Sequence, residues 1–238
     1  MTDRLTGRRV VITGAAGGLG PVASRAALDD GATVVLVDVA QDKVDALAAD
    51  LGAGVDGAYA VDLLDAEATA SFAERVAAER GGVDAVWHLV GGWKGGTPFE
   101  VQPLEDWALL HDLAVRTTYH VARAFTTALL DSPHGRFLSV SSPQATRPTS
   151  SNAAYSVMKA ASDTVVLALA DRFAGSSATA NVVVVNAILT PAMRAKDPDK
   201  PRPGFVAAED LAEALVWASS DVARTMNGQR LRLTPSGA

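Results

Sequence analysis

Apolar and polar positions along the chain follow two patterns, one typical of buried strands and the other of amphipathic helices. Short apolar runs without polar alternation, such as RRVVITG (8–14), are typical of strands buried on both faces. Helix-length segments separate these runs, and the first of them has Pro21 in its first turn and Gly31 at its end. The pattern predicts strands at 8–14, 33–39, 58–63, 83–92, 135–142, 181–188 and 229–234, and helices at 21–31, 44–51, 66–80, 104–130, 155–173 and 208–219.

Buried strands that alternate with helices indicate a parallel sheet covered by helices on both faces. No linker, repeat or low-complexity tract interrupts the 238 residues. The sequence therefore predicts one α/β domain over 1–238, a doubly wound parallel sheet. The stretch PAMRAKDPDKPRPG (191–204) is charged and rich in proline, and we expect a mobile substrate lid loop over about 191–207.

The composition excludes several classes of function. Lys and Arg number 21 and Asp and Glu 27, so the net charge of −6 argues against nucleic acid or an anionic membrane as partner. The absence of cysteine excludes disulfides, thiolate metal sites and a cysteine nucleophile. The opening stretch MTDRLTGRRVVITG has no apolar signal core, and no 18 uncharged apolar residues occur together. We therefore expect a soluble cytoplasmic protein.

A glycine cluster, TGAAGGLG (13–20), joins the first predicted strand to the first helix. Glycines there permit a tight turn and let the backbone approach a pyrophosphate at the helix N-terminus, although any crowded turn favours glycine too. Asp38 ends the second strand, 24 residues after Gly14. A carboxylate at that place accepts hydrogen bonds from ribose hydroxyls and repels a 2′-phosphate, which favours NAD over NADP. The alternative for Asp38 is a helix N-cap or a solvated loop acid.

The stretch AAYSVMKAA (153–161) places Tyr155 and Lys159 one helical turn apart, on the same helix face. An ammonium beside a phenol favours the phenolate and so lowers the pKa of the phenol. A tyrosine tuned in this way can act as an acid or a base near neutral pH. The alternative is an amphipathic helix that happens to carry one tyrosine and one lysine.

Taken together, these motifs resemble those of the short-chain dehydrogenase/reductase family. TGAAGGLG is similar to the family's TGxxxGxG motif, YSVMK to its YxxxK motif, and Ser142 lies 13 residues before Tyr155, the family's usual spacing for its active-site serine. The resemblance extends to the final stretch SSDVARTMNGQRLRLTPSG. It implies a Rossmann-type fold and an oxidoreductase that transfers hydride between NAD and an alcohol/carbonyl pair.

The resemblance also implies a role for individual residues. Tyr155 is the general acid/base, Lys159 lowers its pKa and holds the nicotinamide ribose, and Ser142 binds and orients the substrate. We expect the neighbouring Ser141 to point away, because successive strand residues face opposite sides. Asp62 either flanks the adenine or caps a strand end. The implied cofactor-binding set is Gly14, Gly18, Leu19, Gly20, Asp38, Asp62, Leu63, Gly91, Tyr155, Lys159 and Thr190.

Two departures from the family pattern stand out. His88-Leu89-Val90-Gly91 replaces the usual Asn-Asn-Ala-Gly, and we expect His88 to serve as a polar partner to the backbone; the other histidines lack metal-ligand spacing, so we expect no metal. Ala114 replaces the family asparagine that is thought to hold a water of the proton relay. Arg116 or Thr117 could rebuild that relay. The same departures support an alternative, a non-catalytic NAD-binding sensor or scaffold.

The loop GGWKGG (91–96) resembles GGWAGG of dihydropteridine reductase, a divergent member of the family, although this chain keeps Ser142 where that enzyme lacks the serine. Trp93 could stack on a flat heterocycle of the substrate, or it could be a loop anchor. An acidic substrate is conceivable, because the loops that flank the expected site carry Lys94, Arg147, Arg194 and Lys196, although charged residues on such loops are usually solvated. The family resemblance further implies a homo-oligomer, a dimer or tetramer, paired through helices 104–130 and 155–173.

Overall fold

A computed structural model describes residues 3–235 of the chain. Its main sheet has seven parallel strands in the order β3-β2-β1-β4-β5-β6-β9. A second sheet pairs two short strands, β7 and β8. The strands are β1 (Arg9–Thr13), β2 (Thr33–Asp38), β3 (Val55–Ala60), β4 (Ala85–His88), β5 (Arg136–Ser141), β6 (Thr179–Val184), β7 (Ala187–Leu189), β8 (Phe205–Ala207) and β9 (Arg230–Arg232).

Helices cover both faces of the main sheet, as the unalternating strands require. One core cluster packs α1 and α8 against the sheet, and a second packs α3, α5 and α6 against its other face. The doubly wound α/β fold is thereby confirmed. The helices are α1 (Gly20–Asp29), α2 (Gln41–Leu51), α3 (Ala66–Arg80), α4 (Leu104–Leu110), α5 (Thr117–Asp131), α6 (Ala153–Arg172), α7 (Pro191–Lys196) and α8 (Ala208–Ser219).

The order of strands places the crevice in which a ligand would bind. From β1 the chain winds outward through β2 and β3, then returns to the other side of β1 and continues through β4, β5 and β6. At such a reversal the loops after β1 and β4 diverge, and a crevice opens at the carboxyl ends of the strands. Thr13 and His88 end these two strands and are paired in register.

Residues 191–207 are more regular than expected. Pro191 begins α7, the Thr190 side chain accepts a hydrogen bond from the Met193 backbone N–H, and β8 pairs with β7. The Arg202 guanidinium donates to the Met193 carbonyl at 2.9 Å, which ties the far part of the segment to α7. The stretch expected as a mobile lid loop therefore contains a short helix and a strand, because side-chain caps and strand pairing supply hydrogen bonds that composition does not reveal, and its role as a lid stays a prediction.

Two long predicted elements are divided. The segment expected as one helix over 104–130 contains a π-helical turn, His111–Arg116, between α4 and α5. Such turns place one extra residue in the helix and are frequent at functional sites. The run expected as a strand over 181–188 becomes β6 and β7, separated by Val185 and Asn186.

The helix α6 is apolar enough to be mistaken for a membrane span. Among the described residues, 150–172 is the one helical stretch with the length and hydropathy to cross a bilayer, yet half of the window concerned is buried inside the protein. Val166 and Leu169 of α6 pack in the second core cluster. We therefore read α6 as a core helix of the fold.

Candidate functional site

The turn after β1 depends on glycine for close packing. Gly14 has φ +71°, and a Cβ there would lie 3.0 Å from the Val90 backbone nitrogen, so the turn presses against the chain that leaves β4. A Cβ on Gly20 would lie 2.0 Å from the Ala15 carbonyl oxygen. A Cβ on Gly18 would lie 3.1 Å from the Thr190 Cγ2 atom. The turn therefore brings bare backbone to the N-terminus of α1.

Asp38 holds this turn in place from the end of β2. Its carboxylate accepts hydrogen bonds from the Ala16 backbone N–H at 3.0 Å and from the Val39 backbone N–H at 2.8 Å. The side chain is half-buried. Two backbone donors thus hold the Asp38 carboxylate beside the glycine turn. Asp38 is therefore neither a helix N-cap nor a solvated loop acid, the two alternatives considered for it.

Asp62 and Leu63 lie after β3. Asp62 is exposed and accepts a hydrogen bond from the Leu64 backbone N–H at 2.9 Å, so it stabilises its own turn. Leu63 is buried in the second core cluster, and His120 donates from Nδ1 to its carbonyl at 2.8 Å. Both contacts fix the turn rather than a ligand, and the role of the pair beside an adenine stays a prediction.

A cavity of about 660 Å³ opens at the crevice between the loops after β1 and β4. It brings together eight of the residues singled out from the sequence and leaves out Gly20, Asp38, Asp62, Leu63 and Ser142. Its walls are Gly14, Gly17, Gly18, Leu19, Leu89, Val90, Gly91, Gly92, Trp93, Val140, Ser141, Tyr155, Lys159, Val185, Asn186, Ala187, Ile188, Thr190, Met193 and Phe205.

Tyr155 and Lys159 project from the first turns of α6 into this cavity. The Lys159 Nζ lies 6.0 Å from the centroid of the Tyr155 ring and donates a hydrogen bond to the Val140 carbonyl at 2.9 Å. A hydrogen bond links Ser142 to Tyr155. Ser142 itself is buried, and its hydroxyl accepts from the Gln144 backbone N–H at 3.3 Å. The three residues predicted to form a catalytic group therefore do meet.

The electrostatics of this trio differ from the expectation. Burial raises the pKa of Tyr155, while the hydrogen bond with Ser142 acts in the opposite direction. Burial also lowers the pKa of Lys159. The expected lowering of the Tyr155 pKa is therefore not found, because burial, reinforced by the negative charge of Asp163, outweighs the effect of Ser142.

A buried carboxylate that the sequence analysis missed lies next to Lys159. Asp163 is 1% exposed, and its Oδ2 accepts a hydrogen bond from Arg230 Nε at 3.0 Å. Burial raises the pKa of Asp163, while Ser141, Arg230 and Lys159 each act to lower it. Asp163 in turn raises the pKa of Lys159 against burial. Asp163 follows Lys159 by four residues, and this i,i+4 spacing is the signal that could have revealed it.

Ser141 belongs to the same cluster. It lines the cavity, is 3% exposed and acts on the Asp163 carboxylate. The expectation that it points away from the site is wrong. The strand β5 ends at Ser141, so Ser142 already lies in the following turn, where the alternation of strand faces no longer applies.

His88 is fully buried between two hydroxyls. Its Nδ1 lies 2.8 Å from Thr13 Oγ1 and its Nε2 3.2 Å from Thr117 Oγ1. The Thr117 hydroxyl donates to the Leu113 carbonyl at 2.7 Å, so it accepts from His88 Nε2–H, and Thr13 donates to Nδ1. Burial, with a smaller effect of Lys159, lowers the pKa of His88 to about 3. The partners are hydroxyls and not the expected backbone groups.

The π-helical turn places Ala114 against α6. Ala114 is 3% exposed and packs with Leu110, Ala154 and Met158. Arg116 is not available for a proton relay, because its guanidinium binds Asp112 at 3.0 Å and the Leu64 carbonyl at 3.2 Å. Thr117 is engaged by His88 and Leu113. The turn thus contributes apolar packing where the family pattern has an amide.

Trp93 forms part of the cavity rim. Its indole Nε1–H donates to Asn152 Oδ1 at 3.1 Å, and the side chain remains 60% exposed. Gly96 N–H donates to the Ser151 carbonyl at 2.8 Å, so the loop after β4 is fastened to the chain that precedes α6. Residues 3–235 contain no group of three or more His, Cys, Asp or Glu side chains placed to hold a metal ion.

Comparison with known proteins agrees with this arrangement. The family model described as enoyl-(acyl carrier protein) reductase matches residues 14–233. D-threitol dehydrogenase of Mycolicibacterium smegmatis is 29% identical over 240 residues, covering 96% of this chain and 92% of that protein. A short-chain type dehydrogenase/reductase from Mycobacterium ulcerans is 25% identical, with a TM-score of 0.86 and coverage of 96% of this chain and 89% of that one.

A second solved structure bears on the choice between NAD and NADP. A short-chain dehydrogenase from Shigella flexneri complexed with NADP has a TM-score of 0.87 and 22% identity, covering 98% of this chain and 99% of that chain. At this identity the likeness extends to the fold alone. Since that protein is complexed with NADP, the fold by itself does not select between NAD and NADP.

Proposed function

Because the chain belongs to the short-chain dehydrogenase/reductase family, we propose that it is an oxidoreductase that transfers hydride between NAD(H) and a carbonyl/alcohol substrate. The observation that carries this proposal is the meeting of Ser142, Tyr155 and Lys159 beside a cavity that also reaches the glycine turn. The similarity to D-threitol dehydrogenase supports an alcohol/carbonyl pair as the reacting group.

The residues present fit a nicotinamide dinucleotide. Gly14, Gly18, Leu19 and Gly20 leave a cradle of bare backbone at the N-terminus of α1, where helix dipole and free N–H groups favour a pyrophosphate. Asp38 lies beside this cradle, and its negative charge favours ribose hydroxyls over a 2′-phosphate. In this proposal the remaining cofactor contacts are made by Asp62, Leu63, Gly91 and Thr190.

The chain's own residues supply proton transfer and orientation. When bound, the cofactor supplies or accepts the hydride. In the direction of reduction, the Tyr155 hydroxyl gives a proton to the substrate oxygen as the carbonyl carbon gains hydride, and oxidation reverses both transfers. Ser142 donates a hydrogen bond to the same oxygen. Lys159 holds the nicotinamide ribose, and Ser142 acts against the burial that raises the Tyr155 pKa.

The test combines cofactor binding with turnover. We expect the wild-type protein to bind NADH and to reduce a carbonyl substrate, and Tyr155→Phe to lose turnover by roughly 10³-fold or more while NADH affinity changes little. NADH fluorescence measures the first property and NADH oxidation the second. Retained turnover in Tyr155→Phe contradicts the mechanism, and NADH binding without turnover on any carbonyl favours the non-catalytic sensor or scaffold.

The preference for NAD has a separate test. Asp38→Asn removes the charge and retains the shape, so we expect the ratio of NADPH to NADH affinity to rise by roughly tenfold. Asp50→Asn, at an exposed position in the last turn of α2 and outside the proposed cofactor contacts, is the control and should leave the ratio unchanged. Preferential NADPH binding by the wild-type protein overturns the preference and leaves the oxidoreductase proposal intact.

A homo-oligomer and a cytoplasmic location complete the proposal. A shallow groove of about 330 Å³ lies between the outer faces of α5 and α6, with exposed Tyr119 and Ala168 among its walls. A second copy laid across these helices would cover it. Ala168→Arg, on the exposed face, should then lower the molar mass measured by light scattering; a wild-type monomer contradicts the pairing.

A further inference from the structure

The end of the cavity away from the glycine turn has walls of a distinct chemistry. Trp93 comes from the loop after β4, Ile188 from β7, Met193 from α7 and Phe205 from β8. All four side chains are apolar, and all but Trp93 are half-buried. Among the described residues that line the cavity, Lys159 is the one charged side chain, and it donates to the Val140 carbonyl.

Three cations of the loops around this end are paired, and the exposed Arg147 and Lys196 are absent from the cavity walls. Lys94 lies 3.7 Å from the Asp106 carboxylate, and Arg194 forms an ion pair with Glu209. Arg202 donates to the Met193 carbonyl at 2.9 Å and lies 3.8 Å from Asp197. None of the three arginine and lysine side chains lines the cavity. An anionic group on the substrate would enter without a counter-charge on these walls, which costs free energy.

Polar side chains on these walls are few, and the hydroxyl of one of them, Ser141, has no hydrogen-bond partner among the described residues. The Thr190 hydroxyl accepts from the Met193 N–H at 3.3 Å, and the Asn186 amide donates to the Gly204 carbonyl at 3.4 Å. A substrate with several hydroxyls would therefore exchange hydration for few hydrogen bonds, and unpaired buried hydroxyls are unfavourable. In the proposed mechanism Ser142 and Tyr155 are the partners of the reacting substrate oxygen.

Trp93 offers a flat surface in a fixed orientation. Its Nε1–H bond to Asn152 anchors the polar edge of the indole at the rim, while 60% of the side chain stays exposed. An aromatic ring on the substrate would cover this surface by stacking or by an edge-to-face contact. An aromatic substrate group therefore matches the exposed indole of Trp93 at the mouth of this apolar cavity.

We propose that the substrate is a neutral ketone or aldehyde, with its corresponding alcohol, that carries an aromatic or similarly flat apolar group packed on Trp93, and that anionic and polyhydroxylated analogues are poor substrates. This rests on the proposed oxidoreductase function. The proposed substrate class differs from the one in the name of the relative D-threitol dehydrogenase, since D-threitol is a polyol.

Matched carbonyl probes test the substrate class. With NADH we expect kcat/KM for acetophenone to exceed that for phenylglyoxylate, which has a carboxylate in place of the methyl group, by roughly tenfold or more. We expect it to exceed that for a four-carbon ketose by a similar factor. An equal or higher value for the keto acid, the ketose or quinonoid dihydropterin overturns the proposal, and the last of these would instead support a dihydropteridine-reductase-like function.

Variants of the two exposed tryptophans locate the contact. Trp93→Ala should raise the KM for acetophenone by roughly tenfold with a smaller change in kcat, and Trp93→Phe should retain most of the wild-type value. Trp107, 48% exposed on α4 and absent from the cavity walls, provides the matched control, so Trp107→Ala should leave KM unchanged. Equal effects of the two alanine variants contradict the contact with Trp93.

Failure of the proposed function is distinguished by binding. If NADH binds but no carbonyl reacts, the oxidoreductase proposal fails, and calorimetric titration of acetophenone and phenylglyoxylate into the NADH complex still decides the ligand class. Tighter binding of acetophenone, weakened by Trp93→Ala, supports the apolar site. Tighter binding of phenylglyoxylate, or binding of neither, overturns it.

Discussion

The two walls of the cavity are built by different means. The wall formed by the turn after β1 is bare backbone, with Gly14 and Gly20 packed where a Cβ has no room. The wall formed by α6 carries the half-buried phenol of Tyr155 and the buried ammonium of Lys159, and the nearby buried Asp163 carboxylate raises the pKa of both. The first wall is thus sensitive to added volume and the second to a change of charge, and variants of each wall should fail in different ways.

The largest effect is expected on the backbone wall. Gly20→Ala would place a Cβ 2.0 Å from the Ala15 carbonyl oxygen, and main chain on both sides must move. We expect the free energy of unfolding to fall by about 3 kcal/mol and NADH binding to be lost. Gly17→Ala is the control, since its Cβ would lie 3.1 Å from the Gly14 carbonyl oxygen and needs a small adjustment. Urea unfolding and NADH titration measure both; equal effects would contradict the steric explanation.

A smaller effect is expected from a charge change on the α6 wall. Asp163→Asn leaves Lys159 without its buried counter-charge and Arg230 without its partner, so we expect a loss of about 2 kcal/mol in stability. The Lys159 pKa should fall, because Asp163 raises it against burial. The ammonium is then lost at a lower pH, and the alkaline decline of NADH affinity should shift to lower pH. Loss of stability with an unshifted pH profile would assign Asp163 a structural role alone.

His88 gives the third prediction, since burial and the ammonium of Lys159 both keep it uncharged in the fold. Its pKa is about 3 in the folded protein and about 6.5 in an unfolded chain. The unfolded state therefore binds more protons between these values, and stability present above pH 6.5 is lost as the pH falls toward 3. From pH 8 to pH 5 the contribution is about 2 kcal/mol.

The variant His88→Asn isolates this contribution. Asparagine does not titrate, so the difference in unfolding free energy between pH 8 and pH 5 should become smaller than in the wild-type protein by that amount. Urea unfolding at the two pH values measures it. His134→Asn, at a partly exposed position paired with Asp221, is the control and should retain most of the wild-type dependence. An unchanged pH dependence in His88→Asn would mean that His88 does not stay neutral in the fold.

The sequence alone predicts the parallel sheet, most of its helices and, through the family resemblance, the grouping of Ser142, Tyr155 and Lys159. Those features follow from local periodicity, from the i,i+4 geometry of one helix and from motif spacing, all of which are readable along the chain. The α8 helix shows this most directly, since its apolar periodicity gave its bounds, 208–219, without any tertiary information.

Other features were decided by the tertiary structure. Which groups lie around Lys159, whether Ser141 faces the site, how residues 191–207 are held and what His88 pairs with depend on contacts between distant segments, such as Arg230 with Asp163 and Thr13 with His88. Burial then reverses the local argument about the Tyr155 pKa, because desolvation depends on how many atoms of other elements cover the phenol. A local sequence pattern determines the geometry of one helix or strand, whereas the hydration and the charges around a site residue depend on how distant segments pack around it.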